Sequence, residues 1–121
     1  MSDIFKKSPV EMLVLHMLSK EDAHGYQLAQ WIKERSKGLL SVQITSLYPV
    51  LYRLEEDGYI TGVQIAVENP DSPRKRSSRV RIVYNITPSG KEHLDKLRTE
   101  YEDHIQGYMN ILASQDNNRK P

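Results

Sequence analysis

The chain has 121 residues, 38% of them hydrophobic and 27% charged, with a formal net charge of +1 and no cysteine. That length and balance fit one ordinary globular domain with no room for a separate catalytic one, and the missing cysteines exclude disulfides, thiolate catalysis and cysteine zinc sites. No apolar run is long enough to span a bilayer, and the start, MSDIFKKSPVEMLVLHML, lacks the pattern of a secretory signal. A cytoplasmic protein without membrane contact is expected. A net charge this small says nothing about nucleic acid, so the distribution of charge has to carry that question.

In chain order, Val10, Leu13, Val14, Met17 and Leu18 recur at helical spacing and predict a first helix over Pro9 to Ser19. Ser8 followed by Pro9 is a good cap and first-turn pair. A second helix is predicted over Ala23 to Ser36, with Leu28, Ala29 and Ile32 inward and Gln27, Gln30, Lys33 and Glu34 outward. Lys37-Gly38 ends it, because glycine supplies the left-handed backbone of a helix terminus. The third helix carries Leu47, Val50, Leu51 and Leu54 on one face and starts somewhere between Ser41 and Ser46. A cap at Thr45 or Ser46, or a 3₁₀ entry, places Pro49 in the first turn, where it has no helical hydrogen bond to remove. A cap at Ser41 would place it in the interior.

After Gly58 the pattern alternates. Val63, Ile65 and Val67 share one face of a strand, and Val80, Ile82, Tyr84 and Ile86 share one face of another. Between them NPDSPRKRSS is rich in turn formers, which predicts a long hairpin. Thr87-Pro88 opens a last helix running to about Ala113, and the polar SQDNNRKP after it is expected to fray.

Three helices, a hairpin with a long tip and a long final helix are the element order of a winged helix-turn-helix domain. The expected class is therefore mainly α with a small β-hairpin (α+β). Residues 1–87 form the DNA-binding domain, 88–113 a dimerisation helix and 114–121 a flexible tail. In that arrangement the third helix presents Thr45, Ser46, Tyr48, Tyr52 and Arg53, with Gln43 just before it, toward a major groove. Hydroxyls and a helix start suit phosphate oxygens, while arginine and glutamine also read base edges. Arg74, Lys75, Arg76, Arg79 and Arg81 crowd the hairpin with no acid among them. A lone basic loop is more often a solvated surface. On a hairpin directly after such a helix it reads as a wing along the phosphate backbone.

The remaining polar residues point away from catalysis. His93 and His104 stand about 16 Å apart along one helix, too far to share an ion, and His16 and His24 read as structural or surface residues. No metal, no cofactor and no enzyme is expected, since nucleophile elbow, glycine-rich phosphate loop and paired histidines are all missing. Trp31, at the edge of the second helix's apolar stripe, reads as core or dimer packing, with a sharper reading as the wall for a planar ligand. On the last helix Leu94, Leu97, Tyr101, Ile105, Tyr108 and Leu112 form a row at spacings of three and four. About 25 residues, about 37 Å at roughly 1.5 Å each, outrun so small a core. The free length is expected to pair with a second copy.

HGYQLAQWIKERSKGLLS, SLYPVLYRLEEDGYI and Tyr84-Asn85-Ile86-Thr87 with Gly90 closely resemble the PadR-like transcriptional regulators over about Val10 to Tyr101. The most specific pieces are His24-Gly25-Tyr26 and Leu47-Tyr48-Pro49 running into Leu54-Glu55 and Gly58. The resemblance implies a homodimeric repressor on a partly palindromic double-stranded operator, released by a small planar or phenolic effector or by stress. This chain departs from the pattern in having Thr45-Ser46 where the family usually has Gly-Thr, in its longer wing, and in carrying no tryptophan on the last helix. The rival reading from another class is a winged-helix adaptor or ligand sensor without specific DNA binding.

Overall fold

The structure, a computed structural model, describes residues 9–67 and 79–115, without the side chains of Val67, Arg79 and Gln115. The Ser8 cap, the basic residues Arg74, Lys75 and Arg76, and the tail from 116 onward lie outside the described residues. Within them the order is α1 (Val10–Lys20), β1 (Ala23–His24), α2 (Gly25–Arg35), α3 (Ile44–Glu56), β2 (Ile60–Val67), β3 (Arg79–Ile86) and α4 (Pro88–Gln115).

The three short helices form because each buries one apolar stripe against the others. Val14, Leu15, Met17 and Leu18 of α1, Leu28 and Ile32 of α2, and Leu47, Val50, Leu51 and Leu54 of α3 make one cluster, closed by Ile60, Tyr84, Leu94 and Leu97. Local signals stop the helices where expected. After α2, Lys37 and Gly38 both take positive φ, and the Gly38 N–H reaches back to the Lys33 carbonyl at 2.8 Å. After α3, Gly58 does the same and the Tyr59 N–H donates to the Leu54 carbonyl at 2.9 Å.

Three expectations are corrected. The sheet has three strands, not two, in the order β1-β3-β2, all antiparallel. The second helix accordingly begins at Gly25. Ala23 and His24 are extended and pair with Tyr84 and Val83, and His24, with φ −93° and ψ 169°, caps the helix. The third helix starts at Ile44, ahead of the expected caps at Thr45 or Ser46, so Pro49 is its sixth residue and lies in the interior. The Gln43 carbonyl accepts from both the Ser46 N–H (2.9 Å) and the Leu47 N–H (3.1 Å), a tightened first turn. Pro49 has no N–H to give the Thr45 carbonyl, and water can reach this turn because both residues are exposed.

Register fixes the faces of the hairpin. Gly62 opposite Tyr84, Gln64 opposite Ile82 and Ala66 opposite Val80 share one face; Val63 opposite Val83 and Ile65 opposite Arg81 share the other. The apolar sets of the two strands therefore lie on opposite faces of the sheet. Beyond Ile60 and Tyr84 the hairpin leaves the core, and Val63, Ile65, Val80 and Ile82 are all exposed.

The roots of the hairpin and of α4 are clamped together. The Thr87 N–H donates to the Tyr59 carbonyl (3.0 Å), and the Thr87 and Ser89 hydroxyls donate to the Gly58 carbonyl (2.7 and 3.0 Å). Thr87 also caps α4 by accepting the Gly90 N–H at 3.0 Å. A Cβ on Gly90 would fall on the Tyr59 carbonyl oxygen and within 2.8 Å of Ile86 Cγ1. Gly90→Ala is therefore expected to lower stability by about 1–3 kcal/mol, the usual range for overpacking, read as a lower urea midpoint at unchanged m-value.

Candidate nucleic-acid interface

The outer face of α3 gathers most of the residues singled out on it. Thr45, Ser46, Tyr48 and Tyr52 are exposed, as is Gln43 immediately before the helix. At about 100° per residue, Thr45, Tyr48 and Tyr52 occupy the centre of that face. Ser46 and Arg53 lie on its flank. Arg53 turns toward α1, where its guanidinium is 3.8 Å from the Glu11 carboxylate. Glu11 is buried and also lies 3.7 Å from the His93 imidazole, whose ring stacks on Tyr59 at 4.0 Å between centroids. Arg53 thus belongs to an α1–α3–α4 cluster. Because its side chain is 56% exposed, that ion pair is worth little and leaves the arginine free to exchange partners.

A second set of polar groups, which the sequence does not bring together, lies beside Tyr48. A cleft of about 400 Å³ opens between the start of α2, α3 and the middle of β3, lined by His24, Gly25, Tyr26, Tyr48, Arg81 and Tyr84 among others. Gly25 permits the close approach, since a Cβ there would be 3.2 Å from Ile44 Cδ1 and 3.4 Å from the Tyr48 ring. His24 and Gln27 form a reciprocal cap: the Gln27 N–H donates to His24 Nδ1 (3.3 Å) and the His24 N–H to Gln27 Oε1 (3.1 Å). The other imidazole nitrogen, Nε2, lies 2.9 Å from Arg81 Nη1. Burial, then the Arg81 charge, lowers the His24 pKa below its ordinary 6.5. Tyr84 is buried at the back of the cleft, and burial, then Glu55 and Tyr48, raises its hydroxyl pKa. His24 and Arg81 are 57 residues apart. No local pattern announces a two-residue strand that pairs them.

Of the other residues singled out, Arg79 lies on β3 with only its backbone described. Trp31 is half-buried and lines a cleft of about 330 Å³ with Leu13, His16, Met17, Arg35 and Leu40. The Arg35 guanidinium sits 4.5 Å from the indole centroid, so a planar ligand there would have to displace it. The row on α4 divides. Leu94 and Leu97 are buried in the chain's own core and Tyr101 packs against it, whereas Ile105, Tyr108 and Leu112 are exposed together with Met109 and Ile111. Among the described residues no helix is long and apolar enough to cross a membrane.

This architecture is a winged helix-turn-helix with a long C-terminal helix. Residues 14–96 match the Transcriptional regulator PadR-like family, and the chain belongs to that family. The "Transcriptional regulator Rv3488" of Mycobacterium tuberculosis (strain ATCC 25618 / H37Rv) is 32% identical over 99 residues, 82% of this chain and 81% of that one. Among solved structures, a transcriptional regulator from Clostridium thermocellum superposes with a TM-score of 0.71 at 24% identity, covering 91% of this chain and 96% of that one. Bacillus subtilis PadR in complex with operator DNA superposes with a TM-score of 0.62 at 24% identity, over 74% of this chain and 47% of that one. The chain is thus a transcriptional regulator and not an enzyme.

Both His16 and His24 have pKa values below 6.5: burial lowers each, followed by Arg98, Lys20 and Arg35 for His16 and by Arg81 for His24. The unfolded chain therefore takes up these protons at a higher pH than the folded one. The stability this contributes is complete above about pH 6.5 and is lost as the pH falls toward the lowered folded values. The urea midpoint is expected to drop between about pH 7 and about pH 5. A His16→Gln, His24→Asn double variant should show a visibly shallower decline over the same range.

Proposed function

We propose that the chain regulates transcription by binding double-stranded DNA as a homodimer, most simply as a cytoplasmic repressor on a partly palindromic operator. The observation that carries this reading is the exposed outer face of α3, with Thr45, Ser46, Tyr48 and Tyr52 beside a hairpin whose sequence from Arg74 to Arg81 holds five cations and no acid. Two such helices enter successive major grooves about 34 Å apart, with Gln43 and Arg53 at the edges of the contact. Arg74, Lys75, Arg76 and Arg79 follow the flanking backbone. The domain boundary falls after Thr87, and α4 sets the spacing of the two copies. The fold shared with an operator-bound PadR supports this reading.

Dimerisation is assigned to the outer half of α4. Its 28 residues extend about 42 Å at roughly 1.5 Å each, while burial in the chain's own core stops near Tyr101. Beyond that point Ile105, Met109, Ile111 and Leu112 are between 56% and 66% exposed, an apolar surface of the kind that pairs. Leu94, Leu97 and Tyr101 anchor the base of the same helix. A planar or phenolic effector, if the Trp31 cleft takes one, would act by favouring one separation of the two copies over another.

Fluorescence anisotropy of a labelled duplex from the gene's own upstream region, against a scrambled duplex over a salt series, tests the reading. Preference for the upstream duplex that survives rising salt is expected; equal, weak binding abolished by physiological salt would favour the adaptor reading instead. Replacing Arg74, Lys75 and Arg76 by alanine should lower the salt slope by about 0.9 for each phosphate no longer neutralised. An unchanged slope would remove the wing from the interface. Ile105→Asp with Leu112→Asp should halve the mass measured by light scattering while circular dichroism stays native.

A further inference from the structure

His24 faces a conflict that its own chain does not resolve. Both ring nitrogens are approached by donors: the Gln27 N–H at Nδ1 (3.3 Å) and the Arg81 guanidinium at Nε2 (2.9 Å). A neutral imidazole has one bare nitrogen, so it can accept from only one of them, and a protonated imidazole can accept from neither. If Nε2 is bare and takes Arg81, the ring stops capping α2. If Nδ1 is bare and caps α2, Nε2 carries a hydrogen and faces a second donor.

Among the described residues the Arg81 guanidinium meets His24. No carboxylate among the described residues lies within ion-pair distance of it. Its strand neighbour across the hairpin is Ile65. The cleft beside it is open, with the exposed Tyr26 and Tyr48 side chains at its mouth. An acceptor carrying negative charge can take hydrogen bonds from an imidazole N–H and a guanidinium together.

We propose that His24 and Arg81 form a binding site for one backbone phosphate of duplex DNA at the junction between the helix-turn-helix and the wing. This rests on the DNA-binding reading above; it adds His24, a residue outside the α3 face and the hairpin, and gives Arg81 a defined place beside it. A phosphate oxygen entering between the two side chains accepts from Nε2–H and from Arg81. Nδ1 is then bare and keeps the Gln27 N–H, so the cap on α2 and the ligand are satisfied by a single tautomer. The position suits a strand of backbone that passes from the groove filled by α3 to the wing. Tyr48, on the recognition face, and Arg81, on the wing, line the same cleft. No proton is gained or lost overall; the imidazole hydrogen moves from Nδ1 to Nε2.

The test reads the tautomer directly. The full-length protein labelled with nitrogen-15 in histidine is titrated with inorganic phosphate and, separately, with the upstream duplex, following the His24 ring nitrogens by NMR. Both additions are expected to drive His24 to the form with a bare Nδ1 and a protonated Nε2, and Arg81→Gln should abolish the response. His24→Asn, which keeps an N-cap oxygen, and Arg81→Gln should each weaken duplex binding on the order of tenfold. Arg81→Gln should also lower the salt slope by about 0.9, one phosphate's share. If the native protein binds the duplex with a steep salt slope while the His24 resonances stay still and both variants bind as well as native, the phosphate site is refuted and the DNA reading stands. If the duplex does not bind but inorganic phosphate still shifts His24 through Arg81, the DNA reading and the phosphodiester assignment fall together, leaving a free-phosphate site.

Discussion

The geometry of the whole chain depends on the joint between the turn after α3 and the start of α4. Thr87 and Ser89 hold the Gly58 carbonyl, the Thr87 N–H holds the Tyr59 carbonyl, and Gly90 lets the two segments press backbone to backbone. From there Tyr59 stacks on His93, His93 approaches Glu11, and Glu11 approaches Arg53. The end of α3, both roots of the hairpin, the base of α4 and the start of α1 thus meet within a few residues. A hairpin or an α4 that swung independently would break the Thr87 N–H bond to the half-buried Tyr59 together with the exposed Thr87 and Ser89 bonds to Gly58. In the proposed dimer, a change in how two α4 helices pair would therefore carry the α3 face and the hairpin with it as one body, the rigid-body form of switching.

What could be read from the sequence follows from how far each interaction reaches along the chain. The ends of α2 and α3 are decided by residues within one turn, Lys37-Gly38 and Gly58, so the pattern locates them. Strand β1 is two residues long, and its only partner is β3, about sixty residues later. Its alternation is too short to register, and the helical spacing that follows absorbs it. The start of α3 escapes the pattern for a different reason. Avoiding a proline in the interior is a local preference worth about 3 kcal/mol. Here the exposure of Thr45 and Pro49 to solvent and a tightened first turn soften that cost.

Periodicity also names a face without naming what covers it. Leu94, Leu97, Ile105 and Leu112 belong to one row in the sequence, yet the first two are 5% and 2% exposed and the last two 56% and 61%. The division falls where α4 passes the edge of α1, a fact of tertiary packing that no spacing contains. The candidate interface divides in the same way. The hydroxyls of α3 are legible because one helix displays them. The contact of Arg53 with Glu11 joins residues 42 positions apart, and the His24–Arg81 pair exists only once the sheet has formed. Long-range pairing created the part of the site that local reasoning could not see.

Pro49 finally gives the outer face of α3 a polarity that its side chains alone would not. Thr45, Ser46, Tyr48 and Tyr52 bring hydroxyls, which donate or accept, and Pro49 has no N–H with which to occupy the Thr45 carbonyl. A phosphate oxygen can only accept, so it cannot satisfy that carbonyl. Water or the amino group of an adenine or cytosine can, because those bases present donors in the major groove. On the DNA reading, the two kinds of interaction are therefore sorted by position. Charge and donors at the His24–Arg81 cleft and along the hairpin suit the backbone, and the mixed donor and acceptor face around Pro49 suits base edges. On the DNA reading, a face that offers acceptors as well as donors suits base edges, whereas a phosphate takes donors alone.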